Sequence, residues 1–193
     1  MSRSRAIAVA LAAGIALSLD PHVASAEEPS LPLALQAQLT VRITEYVDSP
    51  PLGSASQLPL GILVNARDAD SMRAAAELRA AFARITGSGG RTIDAQIIQW
   101  ASADALVEEI GRRKLAIVYL TPGLSSELGA VVGALTHRRV LTIAAVDSYV
   151  VGGAILGYEL SSGHPRMILN LRQARNQDVV LRAALMKLVR IIE

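Results

Sequence analysis

An α/β fold is predicted for this 193-residue chain: a three-layer sandwich around a mainly parallel sheet, ending in an antiparallel hairpin and a C-terminal amphipathic helix. Three observations predict it. Short continuous apolar runs recur, as strands covered on both faces require. Segments with helical periodicity separate the first of these runs. The last third changes style, to two apolar runs joined by a Gly-containing turn.

The chain opens with Met1-Ser-Arg-Ser-Arg5, an apolar run from Ala6 to Leu19, and Asp20-Pro-His-Val-Ala-Ser-Ala26. That is a basic region, an apolar stretch and an A-x-A site, the pattern of a Sec-type signal peptide cleaved after Ala26. The run is shorter than the ~20 residues a spanning helix needs. One domain is then expected over 27–193, in the periplasm, with no direct insertion into the membrane after cleavage.

Leu33 to Val47 reads as a helix, with Leu35, Leu39, Ile43 and Tyr46/Val47 on one face. Asp48 to Gln57 is a breaker-rich loop. Pro59–Val64 is a buried strand, and Asp68 or Asp70 caps the helix Ser71–Ile85. Gly87–Gly90 supplies residues that tolerate positive φ. Thr92–Trp100 reads as a strand, Asp104–Arg113 as a helix, and Leu115–Leu120 as a strand. Thr121-Pro-Gly123 turns into a helix from about Ser125 to Thr136, and Arg139–Ala144 is a fourth strand. Repeated strand–helix order implies crossover connections and a Rossmann-like parallel sheet. Ala154–Leu160 and Arg166–Leu171 flank Ser161–Pro165 as a hairpin. Asp178–Ile192 closes the chain as an amphipathic helix, with Val180, Leu181, Ala184, Leu185, Leu188, Val189, Ile191 and Ile192 on one half. Val179 and Met186 intrude on its charged half, either as ordinary scatter or as contacts to a partner.

Composition narrows the chemistry. Zero cysteine excludes disulfides, Cys-ligated zinc, iron–sulfur centres, thiol catalysis and a lipid-modified N-terminal Cys, so no lipoprotein is expected. Nineteen basic against 17 acidic residues is too balanced for a nucleic-acid partner. Six aromatics (Tyr46, Phe82, Trp100, Tyr119, Tyr149 and Tyr158) are too few for a base-stacking platform. His137 stands at a helix end and His164 in the hairpin turn, neither with a partner at metal-ligand spacing, so no metal is expected. Gly123-Leu-Ser-Ser-Glu127 is not a nucleophile elbow, because Glu127 stands where the second Gly belongs. Gly87-Ser-Gly-Gly-Arg-Thr92 precedes a strand and so is no phosphate loop. Neither a catalytic residue nor a cofactor is assigned.

Geometry leaves one candidate site. Ligands of open parallel sheets sit beyond the carboxyl ends of the strands. Those ends carry Asn65 and Arg67, Thr121 and Gly123, and Asp147 and Tyr149. Arg67 and the helix start at Ser125/Ser126 could hold an anion there. The plainer alternative makes Asp147 and Ser148 caps, Thr121-Pro-Gly123 a turn and Arg67 a solvated side chain.

Val140-Leu-Thr-Ile, Asp147, Gly152-Gly-Ala-Ile-Leu-Gly157, Met167-Ile-Leu-Asn-Leu-Arg-Gln-Ala-Arg175 and Leu181–Ile192 together resemble the C-terminal signature of the YfiR/HmsC-like family of periplasmic regulators. Ala34-Leu-Gln-Ala-Gln-Leu, Gly61-Ile-Leu-Val64 and Ile117-Val-Tyr-Leu-Thr-Pro-Gly123 also look like it. The resemblance spans roughly Leu33 to Ile192. It implies an α/β sandwich and a non-enzymatic regulator that restrains an inner-membrane diguanylate cyclase or histidine kinase through that protein's periplasmic domain. Homodimers are implied as well. Asn170 matches the family's N-L-x-x-A motif, with the implied role of closing a turn into a helix. The chain departs from its relatives in lacking cysteine pairs, which denies it a disulfide switch. It departs again in the Thr40–Tyr46 stretch, where the family's helix is more aromatic.

Three functions are therefore carried forward. The first is a periplasmic regulator with a membrane partner. The second is a periplasmic small-ligand binder. The third is a hydrolase using Ser125 or Ser126.

Overall fold

The computed structural model describes residues 27–48, 56–87 and 90–192. The leader expected over 1–26, most of the breaker-rich loop after Asp48 and the middle of the Gly87–Gly90 turn lie outside these residues.

The chain enters through α1 (Leu33–Ile43), followed by a 3₁₀ turn at Thr44–Tyr46. The winding part is β1 (Gln57–Val64), α2 (Ala69–Phe82), β2 (Thr92–Gln99), α3 (Ala103–Arg113), β3 (Ile117–Leu120), α4 (Leu128–Leu135), β4 (Leu141–Ala144), α5 (Ser148–Val151) and β5 (Leu156–Ser161). β6 (His164–Asn170), α6 (Leu171–Asn176), α7 (Ala183–Met186) and β7 (Val189–Ile192) complete the chain. Every strand expected before residue 172 is present within a few residues of its expected ends.

One seven-stranded sheet runs in the order β2-β1-β3-β4-β5-β6-β7. The first five strands are mutually parallel, β6 is antiparallel to β5, and β7 is parallel to β6. The winding reverses at β1: the chain steps outward to β2, then returns across β1 to β3. Right-handed crossovers taken in opposite directions put their helices on opposite faces. Accordingly α2 packs beside α1, while α3 packs beside α4. The central strands are covered on both sides, and every residue of β3 and β4 is buried.

Local chemistry sets the element boundaries. Asp68 accepts from Ser71 N at 2.9 Å and opens α2. Ser102 accepts from Ala105 N at 3.2 Å and opens α3. Ser162 and Gly163, both at positive φ, make the two-residue turn between β5 and β6, in the mirror-image form that suits strand twist. Asn170 accepts from Gln173 N at 2.9 Å to open α6, and its amide donates to Val150 O at 3.0 Å. Asn170 thus does close a turn into a helix.

A polar seam fastens α1 to the sheet. Gln36, fully buried, donates to Leu31 O at 2.9 Å and Ala145 O at 3.2 Å, and accepts from the Tyr119 hydroxyl. One turn later Thr40 pairs with the Tyr158 hydroxyl at 2.7 Å. Burial pushes both phenols up, so both stay protonated and able to donate.

The C-terminal helix expected over 178–192 does not form. α6 ends in a Schellman motif: Val179 N bonds Ala174 O at 2.9 Å, Asp178 N bonds Arg175 O at 3.1 Å, and Asp178 is left-handed at φ 54°. That motif turns Val179 into the core that also holds Ala174, with 6% of its surface exposed, so it cannot be a partner contact. Residues 180–182 then pair with the end of the first helical segment, Asp48 N to Val180 O at 2.9 Å and Arg182 N to Tyr46 O at 2.8 Å. Only Ala183–Met186 is helical, and Met186 packs partly buried against the core. Val189–Ile192 instead pairs with β6. Arg190 grips Glu159 with two bonds of 2.8 and 2.7 Å and holds that carboxyl below its usual range. β-branched residues facing an open sheet edge gain ladder bonds there, which outweighs their helical periodicity.

Two expectations follow for stability. Gln36→Leu strips three bonds from the seam and should cost about 2–3 kcal/mol, against ~1 kcal/mol for Tyr158→Phe, measured by urea unfolding at neutral pH. Val179→Asp places a carboxylate in the core and should cost about 4 kcal/mol or more. An unchanged midpoint in Val179→Asp would contradict the Schellman packing.

Candidate functional site

The reversal of winding at β1 opens a crevice beyond the carboxyl ends of β1 and β3, the place where such sheets bind ligands. Two loops form it, Asn65–Asp68 after β1 and Thr121–Leu124 after β3. Asn65 joins them: its amide donates to Gly123 O at 2.9 Å, while its Oδ1 accepts from Arg67 N at 3.0 Å. Beneath lies a chain of hydroxyls. Thr121 donates to Leu63 O at 2.8 Å, so the 2.6 Å contact between Ser71 and Thr121 has Ser71 donating. Ser71 Oγ in turn accepts from Asn65 N at 2.9 Å. Both hydroxyls are fully buried, and Ser71 spends its proton on Thr121 and Thr121 its own on the Leu63 carbonyl, so they hold the loops and have no proton to spare for chemistry.

Above this lock the backbone turns at Gly123, where φ is +82°. A Cβ there would lie 2.5 Å from Asp68 Oδ2, so glycine is required on two counts. The N–H groups of Gly123 and Leu124 each find a side-chain partner. Leu124 N donates to the Tyr149 hydroxyl at 2.8 Å. Gly123 N donates at 2.8 Å to the carboxylate of Glu27, which also accepts from the Tyr149 hydroxyl. Burial, reinforced by the bond to Glu27, pushes the Tyr149 phenol up and keeps it a donor. The crevice therefore presents two backbone N–H groups, one of them relayed through a buried phenol, to a carboxylate.

Four of the residues expected at the strand ends meet here, and Gly123 supplies the backbone N–H that the carboxylate accepts. Asn65 and Thr121 are locks between loops, and Tyr149 is a donor to the anion. Arg67 is exposed on the rim. Asp147, also exposed, bonds Ser148 N at 2.7 Å and starts α5, the capping role of the plainer alternative. Val179 and Met186 lie elsewhere, in the C-terminal packing already described. Ser125 and Ser126 are exposed in a 3₁₀ turn. His137 pairs with Asp178 at 3.0 Å, and among the described residues no hydrogen bond joins either histidine to those serines. Glu127 accepts from Trp100 Nε1 at 3.1 Å. Among the described residues no group of three His, Asp or Glu side chains is placed to hold a metal ion.

No motif in the sequence points to Glu27. Its only sequence signal is its position directly after Ala26, and no periodicity shows that a segment folds back over the sheet. In the sequence Ser71 reads as the start of a helix; in the structure it is also a lock between two loops.

A second concavity, of ≈ 270 Å³, lies between α1 and the C-terminal segment and is lined by Leu39, Arg42, Ile43, Tyr46, Met167, Leu185 and Leu188. Val180 (60% exposed), Leu188 (52%) and Ile191 (41%) leave apolar surface open along this end of the chain.

Comparison with solved structures finds α/β domains. A conserved domain protein from Vibrio cholerae O1 biovar El Tor aligns with a TM-score of 0.61 at 13% identity, covering 84% of this chain and 60% of that one. A Streptococcus pneumoniae ABC domain in complex with L-Trp aligns at 0.56 and 12% identity, covering 81% and 62%. A ligand-free, open substrate-binding protein with adhesive properties from Clostridium difficile aligns at 0.54 and 12%, covering 70% and 54%. The chain thus spans less than two thirds of each of these, and at such identities the likeness is one of fold alone. A sequence search among curated proteins finds no match. A family model described as YfiR/HmsC-like matches residues 33–190 of the 193. The order of strands and motifs and that match together establish that the chain belongs to the YfiR/HmsC-like family.

Proposed function

We propose that this chain is a non-enzymatic periplasmic regulator that binds the periplasmic domain of an inner-membrane diguanylate cyclase or histidine kinase and restrains its signal. Family membership supports the class. The observation that carries the docking surface is the C-terminal edge of the sheet. β7 is an outer strand, and an outer strand has ladder groups turned away from its neighbour. Leu188 just before it and Ile191 within it stand exposed, and Leu188 also borders the apolar groove over α1. An added strand or an apolar helix from a partner would find both bonds and burial there. Regulation follows from differential affinity: a regulator that binds one state of the sensor better shifts the sensor toward that state. A homodimer, implied by the resemblance to the family, belongs to the same reading.

A second reading, a small-ligand binder, draws on the crevice that holds a carboxylate. It also draws on the structural neighbours described as substrate-binding or as complexed with L-Trp.

The regulator reading is tested with Leu188→Asp and Ile191→Asp. Each should reduce crosslinking to the membrane partner about tenfold or more. Each should leave stability within about 0.5 kcal/mol, as expected for surface substitutions. Full crosslinking by both variants would overturn the surface. Export is tested by intact mass: the periplasmic chain should begin at Glu27, and a mass that includes Met1–Ala26 would contradict cleavage.

A further inference from the structure

The carboxylate in the crevice belongs to the chain itself. Glu27 reaches Gly123 N at 2.8 Å and the hydroxyl of Tyr149, a side chain with 1% of its surface exposed. The segment that delivers it is pinned at its other end. Leu31 is buried, its carbonyl accepts from Gln36 at 2.9 Å, and Pro32 leads into α1. Residues 27–32 thus form a short strap with both ends fixed. A cavity of ≈ 450 Å³ lies alongside, bounded by Glu28, Pro29 and Ser30 of the strap, Arg73 and Glu77 of α2, and Pro122.

The donors are a poor match for anything but an anion. Gly123 N–H and the Tyr149 O–H converge on one oxygen, and the phenol already accepts from Leu124 N at 2.8 Å, so its proton points outward. A neutral ligand would accept these bonds, but with about half the strength of a charge-assisted pair. The surroundings are acidic, with Asp68 behind Gly123 and Glu77 along the cavity. A free anion meets that field at its bulk concentration, whereas a tethered one is held at an effective concentration in the millimolar range.

From this geometry we infer that the crevice is a carboxylate-binding site whose resident ligand is Glu27, and that the 27–32 strap shuts small free carboxylates out of it. The inference deepens the ligand-binding reading of the crevice and does not involve the partner surface at β7. It also gives processing after Ala26 a structural consequence: the new N-terminal residue is the ligand.

The test uses the ¹⁵N-labelled chain purified from the periplasm, with sodium propionate as the probe, since propionate reproduces the end of a glutamate side chain. Glu27→Ala should shift the Gly123 and Leu124 amide resonances. Propionate added to Glu27→Ala should move them back in a saturable way. Its affinity there should be about tenfold higher than for the unsubstituted chain, the factor expected if the strap is closed nine-tenths of the time. Tyr149→Phe in the Glu27→Ala background should weaken propionate binding. Arg172→Ala, an exposed position on α6 away from the crevice, should change none of these readings. Equal propionate affinity with and without Glu27, no saturable binding to Glu27→Ala, or equal binding of neutral propionamide would each overturn the inference. So would a mature chain that begins after Glu27. None of these outcomes bears on crosslinking at β7, so failure here and failure of the regulator reading are distinct results.

Discussion

The structure depends on covering both faces of its central strands. β1, β3 and β4 carry apolar side chains on either side, and no alternating polar face is available to meet water. Helices must therefore lie on both faces, and right-handed crossovers supply both only if the winding changes direction. The reversal at β1 is that change. It separates the loop after β1 from the loop after β3, and so makes the crevice as a by-product of burying the sheet.

What happens in the crevice is a matter of polar satisfaction. Separated loops expose backbone groups, and those that stay buried must find partners. Asn65, Ser71 and Thr121 supply them, each spending its hydrogen-bonding capacity on the opposite loop or on strand backbone. The groups they leave over are the N–H groups at the left-handed Gly123, and these meet Glu27 and Tyr149. The same logic fastens α1, whose buried Gln36 and Thr40 are matched by the hydroxyls of Tyr119 and Tyr158. Without cysteine, this domain relies on apolar burial together with such matched polar contacts.

The opposite end of the sheet follows a different rule. Beyond β5 the chain reverses through the hairpin, and β6 offers an outer edge. The last residues fill that edge as β7 and then present an edge of their own. Apolar side chains that a C-terminal helix would have buried against the core, Leu188 and Ile191, are instead left near the surface. The folding choice that ends the sheet thus also creates the apolar surface available to another protein.

Residue order alone determined the winding part of the fold. Continuous apolar runs, Asp68 as one of two candidate caps, and the Gly-containing hairpin turn act over a few residues, and each agrees with the element in which it lies. It also placed Asn65, Thr121 and Tyr149 at strand ends, because strand direction follows once the crossovers are known. The tertiary structure decided the rest. The 178–192 segment has helical periodicity, yet the Schellman turn at Asp178 and the open edge of β6 redirect it, since ladder bonds to a distant strand have no local signature. The docking of Glu27 against Gly123 and Tyr149 spans about a hundred residues of sequence separation, and only the folded sheet brings them together.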